Sequence, residues 1–374
     1  MVTRRELVED PPQADSPRTT LLFTLPVAGV PVPVPPRQAV PPFCCLLPCI
    51  AALMAIALPG ARAADKQAQP VTLVAIQMQV RLEDYRSPAA FATAVERHMK
   101  EAMRAPGEGP RLVVFPEDVG LALVVIGEYE AVKDCSSWKE AAGVLIANHQ
   151  AEVAEIAARH QCSPVRALFL LKGERARQVY ADTFAKAAKA HRVTLVAGSA
   201  AIPDTKGNVF NTSYVFGPTG KLLGRQRKVH LIDLEGPEGL DLTPASPDAI
   251  HALDTPAGRL GLGICYDLFF PDVVEKLVKE GSRILVQPTF NPQPWDAAQQ
   301  EEWNKGIWTA ASTHPTVVAG INPMMVGSLW DVTAEGISSI VGPPFAPPAT
   351  GYLAQAPSPT REAIISARVT LPTK

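Results

Sequence analysis

The chain lacks an excess of charge of either sign. Its 374 residues carry 35 Lys and Arg against 37 Asp and Glu, a formal net charge of -2. That balance gives no electrostatic reason to expect nucleic acid as a partner. Metal-site spacing is missing as well. None of the six cysteines stands in a Cys-x-x-Cys pair or a His/Cys cluster, so neither a structural metal nor a cofactor is expected. No internal repeat shows at solenoid periods. Long apolar runs are also scarce. Phe43 to Leu58 is free of charge but contains Pro48, and it is short of the roughly twenty residues that cross a bilayer.

Proline, by contrast, is abundant. Residues 1–42 are rich in it, with a VPVPVPPRQAVPP stretch, and cannot pack a core, so they read as disordered or polyproline-like. The apolar run 43–58 follows, then Ala61-Arg62-Ala63. An apolar segment with Arg37 upstream and an A-x-A site after it matches a secretory signal peptide. The expectation is an exported protein, periplasmic or extracellular, cleaved near Ala63, with no stable membrane span in the mature form. The alternative is a membrane anchor through 43–58. The segment lies far from residue 1 for a signal peptide, which leaves the true start open. Cleavage there retains Cys135, Cys162 and Cys265. In an oxidising compartment the first two could pair and leave one thiol free.

From residue 70 onward the pattern is that of one large domain. Val71 to Val80 is a strand of central type, and Ser87 caps a helix through about Met103, with Phe91, Val95 and Met99 at four-residue intervals. Leu112 to Phe115 is a second strand, running into Phe115-Pro116-Glu117-Asp118. Residues 119–192 carry mixed helical patterns, ending in a helix from Tyr180 to His191. Val193 to Ile202 and Val209 to Phe216 read as further strands, the latter turning through Gly217-Pro218-Thr219-Gly220 into a hairpin partner at Lys221 to Arg225. Ala252 to Thr255 and Arg259 to Ile264 form another hairpin. Gln299 to Ser312 is helical, and Thr316 to Ile321, Ile337 to Val341 and Ala363 to Val369 complete the strands. Tight turns in some places and helices in others imply a mixed sheet in an α/β fold. Residues 343–374 read as a C-terminal arm and final strand, the Pro-rich part to about 360 running over the surface.

The stretch with the most chemistry runs from Arg259 to Pro292. Leu260 to Ile264 is a buried strand, and Cys265 stands where it stops. Pro271 suits the first turn of a helix, in which Val273, Val274, Leu277 and Val278 are helically spaced, and Gly281 is its stop. A cysteine at the C-terminal end of a strand feeding a helix sits where open α/β sheets place ligands. A lone cysteine there is equally a buried structural residue, so partners decide the matter. Two are at hand: Glu117, just beyond another strand, and Lys228, beside a turn. His230, two residues after Lys228, reads as structural.

Four stretches together carry a family resemblance: LVAIQMQV, LVVFPED, GRQRKVHLIDLE and GLGICYDLFFPD. In that order they resemble the nitrilase superfamily of carbon–nitrogen hydrolases, over most of residues 70–342. The resemblance implies a four-layer αββα sandwich with mixed sheets. It also implies a catalytic triad of Glu117, Lys228 and Cys265, with Glu235 or Glu238 as a second glutamate, Glu235 preferred. Tyr266, Asp267 and Asn291 fall in the expected substrate and oxyanion neighbourhood. Nitrilases proper usually have Trp-Glu after the cysteine, whereas this chain has Tyr266-Asp267, as in the amidase and carbamoylase branches. The implied partner is a small-molecule amide, and relatives generally form homodimers or higher homo-oligomers.

Some positions depart from the family pattern. Phe269 stands where relatives often carry arginine, which makes the pocket more apolar. Thr309 to His314 replaces the usual helix end, and 127–180 is longer than the usual connection and could form a lid. Two competing readings are an N-acyltransferase, in which an amine replaces water, and a secreted binding protein without turnover.

Overall fold

The computed structural model describes residues 68–372; the signal-peptide-like segment, the 43–58 run and the cleavage site near Ala63 lie outside them. The strands are β1 (Gln69–Gln77), β2 (Gln79–Val80), β3 (Arg111–Val114), β4 (Thr194–Val196), β5 (Ala200–Pro203), β6 (Val209–Phe216), β7 (Leu222–Arg227), β8 (Leu253–Thr255), β9 (Gly258–Leu262), β10 (Ile284–Val286), β11 (Ala319–Asn322), β12 (Val326–Leu329), β13 (Val332–Ala334), β14 (Ser339–Val341), β15 (Tyr352–Gln355) and β16 (Ala363–Leu371). The helices are α1 (Pro88–Ala102), α2 (Tyr129–Val132), α3 (Trp138–Asn148), α4 (Gln150–His160), α5 (Pro164–His191), α6 (Pro271–Lys279), α7 (Ala297–Asn304) and α8 (Ile307–Ser312).

Two mixed sheets form the centre. The first runs β16-β1-β3-β4-β6-β5, with β7 also on β6; the second runs β15-β14-β11-β10-β9-β8. Period-two alternation sorts their side chains into layers. On β1, Val71, Leu73 and Ala75 meet Leu260, Leu262, Ile284 and Val286 of the second sheet. The alternate residues Val74 and Ile76 pack instead with Phe91 and Val95 of α1 and Phe184 of α5. On β10, Leu285 faces outward to Val274 and Leu277 of α6 and Ile307 of α8. Helix, sheet, sheet and helix therefore stack in the expected four-layer sandwich. Strands buried on both faces need continuous apolar sequence, which explains why LVAI and ILV show no polar alternation.

The elements differ from the sequence expectations in four instructive places. Val71 to Val80 divides: β1 stays in the first sheet, and β2 joins a small sheet with β12 and β13. The helix expected from Tyr180 is the second half of α5, which begins at Pro164 behind an Ser163 cap on the Arg166 N–H. The helix expected over 299–312 is two, α7 and α8, separated at Gly306, where any Cβ would come 2.8 Å from the Gln287 amide. Val193 to Ile202 is one path along β6 with a bulge. Val196 pairs with Val215 and Ala200 with Thr212, so four steps on one strand face three on the other. Gly198 makes the bulge at φ +65°, and a Cβ there would lie 1.9 Å from the Pro116 carbonyl oxygen. That bulge presses on the turn that carries Glu117.

The Pro-rich arm does more than run over the surface. Within it β15 extends the second sheet beside β14, and β16 then pairs with β1 in antiparallel register from Gln69↔Leu371 to Gln77↔Ala363.

Candidate active site

Three strand ends meet at one polar cluster inside this apolar frame. Glu117 follows β3, Lys228 follows β7, and Cys265 follows β9 by three residues. All three are buried, at 2%, 1% and 2% exposure. Lys228 Nζ donates to Glu117 Oε1 at 2.7 Å and to Glu235 Oε2 at 2.6 Å. Of its three N–H groups one remains uncommitted to these carboxylates. Glu117 Oε2 accepts the Phe290 backbone N–H at 2.8 Å. The Cys265 thiol interacts with Glu117 and lies 3.8 Å from the Phe290 carbonyl oxygen.

The two later glutamates differ in burial and contacts. Glu235 is buried, bonded to Lys228, and takes the Ile232 N–H at 3.0 Å, whereas Glu238 is exposed. The turn explains the difference. Residues 233–235 form a short 3₁₀ turn that folds Glu235 back onto its own N-terminus.

One member of the cluster is absent from the sequence reading. Asn211 Nδ2 donates to Glu117 Oε1 at 2.9 Å and to Glu235 Oε1 at 2.8 Å, spending both its hydrogens as a bridge between two carboxylates. Its signal was present in VFNTSYVF: an amide in a strand whose every residue is buried requires a buried polar partner.

Electrostatics follow from these contacts. Burial pushes the Glu117 carboxyl upward, Lys228 opposes that, and the like charge of Glu235 adds to it, for a net rise. Burial also raises the Cys265 thiol well above its usual value, reinforced by Glu117. Lys228 is disfavoured as a cation by burial, but Glu117, Cys265 and Glu235 outweigh that and hold it protonated. The cluster thus holds a fixed cation and a carboxylate with raised proton affinity beside a thiol.

The backbone around Cys265 is tightly held. Cys265 adopts φ +51°, the left-handed region that a residue with a side chain enters only under constraint. Its N–H donates to the Pro288 carbonyl at 2.8 Å, and its carbonyl accepts from Gln287 Nε2 at 2.7 Å. Gln287 Oε1 in turn takes the Ile307 N–H, and Asn322 Nδ2 holds the Gln287 carbonyl. Asp267, fully buried, accepts the N–H groups of Val229 and His230 through one oxygen and that of Ile264 through the other. It therefore ties the residues just after Lys228 to the residue just before Cys265. Burial raises its carboxyl to about 7, with these donors and Lys228 working in the opposite direction.

The remaining expected neighbours fall in different places. Tyr266 is 40% exposed, its ring edge-on to Phe270 at 4.9 Å. Asn291 is buried, and its amide donates to the carbonyls of Gln293 and Glu335, so its donors are committed to loop backbone. His230 stacks on Phe270 at 3.7 Å, in keeping with a structural residue. Cys135, Cys162 and Cys265 are all free thiols. Among the described residues no group of His, Cys, Asp and Glu could hold a metal, and no helix is long and apolar enough to cross a membrane.

Comparison with known proteins agrees with this architecture. The carbon-nitrogen hydrolase family model matches residues 72–343. Human omega-amidase NIT2 is 37% identical over 124 residues, covering 30% of this chain and 44% of its own. The chloroplastic omega-amidase of Arabidopsis thaliana is 31% identical over 164 residues, 41% of each chain. This chain therefore spans less than half the length of the curated relatives it matches. Among solved structures, a carbon-nitrogen hydrolase from Helicobacter pylori G27 superposes with a TM-score of 0.56 at 21% identity, over 80% of this chain and 89% of that one. An amidase from Nesterenkonia sp. gives 0.52 at 18%, over 82% and 90%. The fold is shared across these structures, and the chain belongs to the carbon-nitrogen hydrolase family.

Proposed function

We propose that the protein hydrolyses a non-peptide amide C–N bond through a thioester on Cys265. The observation that carries this reading is the convergence of Glu117, Lys228 and Cys265 in one buried cluster from three separate strand ends. It draws support from the omega-amidases among the relatives, and from an amidase of Nesterenkonia sp. AN1 described with acrylamide added at its active-site cysteine.

Glu117, ionised and beside the thiol, takes the Cys265 proton as sulfur attacks the amide carbonyl carbon. The oxyanion that forms is met by the uncommitted N–H of Lys228, with the Tyr266 backbone N–H as a second donor. Collapse breaks the C–N bond, and the leaving amine carries off the proton held on Glu117. Water then attacks the thioester, Glu117 takes its proton, and the carboxylic acid leaves with the thiol restored. Glu235 and Asn211 hold the lysine and the base in register. Because burial raises the thiol, little thiolate exists at rest, and proton transfer must accompany attack.

The test is ammonia release over a panel of primary amides, beside Cys265→Ala and thiol labelling. Selective Cys265 alkylation and loss of all turnover in Cys265→Ala are expected; turnover that survives the substitution overturns the mechanism. Acyl transfer to added amine in preference to water would make the protein an acyltransferase instead. Export with cleavage near Ala63, and assembly as a homodimer or larger homo-oligomer, belong to the same reading. N-terminal sequencing of secreted material and light scattering check them.

A further inference from the structure

A cavity abuts this cluster. It encloses about 100 Å³, and two helix faces roof it. Trp138, Ala141, Ala142 and Leu145 of α3 lie at i, i+3, i+4 and i+7; Val165, Leu168 and Phe169 open α5 at i, i+3 and i+4. These belong to the long 127–180 connection. The roof is pinned to the 330s turn, since the Trp138 N–H donates to Asp331 and Trp330 Nε1 donates to the Val132 carbonyl. The cavity borders the cluster through Phe290, which lines it while its N–H holds Glu117 and its carbonyl faces the Cys265 sulfur. Asp118 and Leu234, chain neighbours of Glu117 and Glu235, line it too.

The wall chemistry is one-sided. Asp118 is the single charged residue among the lining side chains, and every other one is apolar. Its turn is fixed at φ +60° with its N–H on Ser199 Oγ. No basic group stands there to receive an anion. Burial and the neighbouring Glu117 and Glu235 push the Asp118 carboxyl well above its ordinary value, and an acidic chain entering this space would lose its hydration with no cation on the walls to replace it.

From this arrangement we infer that the cavity is the acyl pocket, and that the substrate is an amide of a neutral, apolar acyl chain reaching about three or four carbons beyond the carbonyl. The inference rests on the amide-hydrolysis reading above. The size follows from comparison with a 150 Å³ apolar cavity, which takes one benzene. Trp138 and Ala142 are then specificity-determining residues contributed by the 127–180 connection.

The test is a series of unbranched primary amides from acetamide to octanamide, with succinamate as the anionic control. The expected kcat/KM rises by about fourfold per methylene up to pentanamide and then stops rising, and succinamate falls about a hundredfold below pentanamide. Ala142→Leu, which fills the cavity, lowers the pentanamide-to-acetamide ratio of kcat/KM by about tenfold or more. A flat chain-length profile, a preference for succinamate, or an unchanged profile in Ala142→Leu overturns the inference while leaving amide hydrolysis intact. Tryptophan fluorescence gives a readout independent of turnover. Pentanamide added to Cys265→Ala protein shifts the emission, and Trp138→Phe in that background removes most of the shift. If no amide is turned over, amide hydrolysis fails; the cavity assignment then stands or falls on that titration, and absence of a shift overturns it.

Discussion

The proposed base, Glu117, and the proposed nucleophile, Cys265, are held in opposite ways. Glu117 is fixed by its side chain: Lys228, Asn211 and the Phe290 N–H all donate to its two oxygens. Cys265 is fixed by its main chain, with N–H and carbonyl both committed and the backbone forced to φ +51°. Its sulfur has only a long contact with a carbonyl oxygen and the neighbouring carboxylate. The difference has a chemical logic. A base works by keeping one position while its proton comes and goes, so immobilising the carboxylate costs nothing in mechanism. A nucleophile must bond to a newcomer, so its support has to come from atoms that do not react.

Breaking the side-chain anchor is expected to have the largest effect. Glu117→Gln removes the proton acceptor and should lower kcat by about 10²–10⁴-fold while leaving the fold intact, which steady-state rates and thermal melts separate. In the unsubstituted protein the acid limb of kcat/KM should fall above pH 4.5, because burial raises Glu117 and activity is lost as pH drops through its raised value. A limb below that pH would contradict Glu117 as the base.

Breaking the main-chain anchor should look different. Asp267→Asn leaves three backbone N–H groups competing for one acceptor, and should cost about 3 kcal/mol of stability in denaturant melts. It should also lower kcat by about tenfold by loosening the cysteine turn relative to Lys228. Unchanged stability would show that Asp267 is not the brace.

The two later glutamates sharpen the contrast. Glu235→Gln removes one charge-assisted bond to Lys228 and should lower kcat/KM by about 10–100-fold. It should also move the acid limb downward, since one like charge beside Glu117 is gone. Glu238→Gln, at an exposed position, should stay within about twofold.

Much of this was legible in the sequence, and the limits were physical. Strand ends punctuated by Glu117 and Cys265 could be read because buried strands announce themselves as continuous apolar runs, and a reactive group after one is conspicuous. The Val193 to Ile202 path looked unbroken because a bulge costs only one residue and a glycine, and its consequence lies in the contact of Gly198 with Pro116, far away in the chain. Asn211 is hidden from sequence patterning, because a single amide in a strand carries no period of its own. Gln287 and Asp267 act through backbone groups, and the sequence does not print which N–H lacks a partner. The helices of 127–180 are mixed in pattern because α3 buries only Ala141 and Leu145 and α4 only Val153, too few to make a clear apolar stripe.

The pairing of β1 with β16 has a consequence for how the chain is made. The strand that opens the sandwich is joined along its full length to one that arrives almost three hundred residues later. Until that segment leaves the ribosome, one edge of β1 has no partner, and the second sheet also lacks its outermost strand, β15. Contacts this distant in sequence form slowly. The domain therefore cannot finish folding before β16 has emerged, and a nascent chain stopped before Ala363 would present an unpaired, strongly apolar edge to whatever holdase or translocating machinery meets it first.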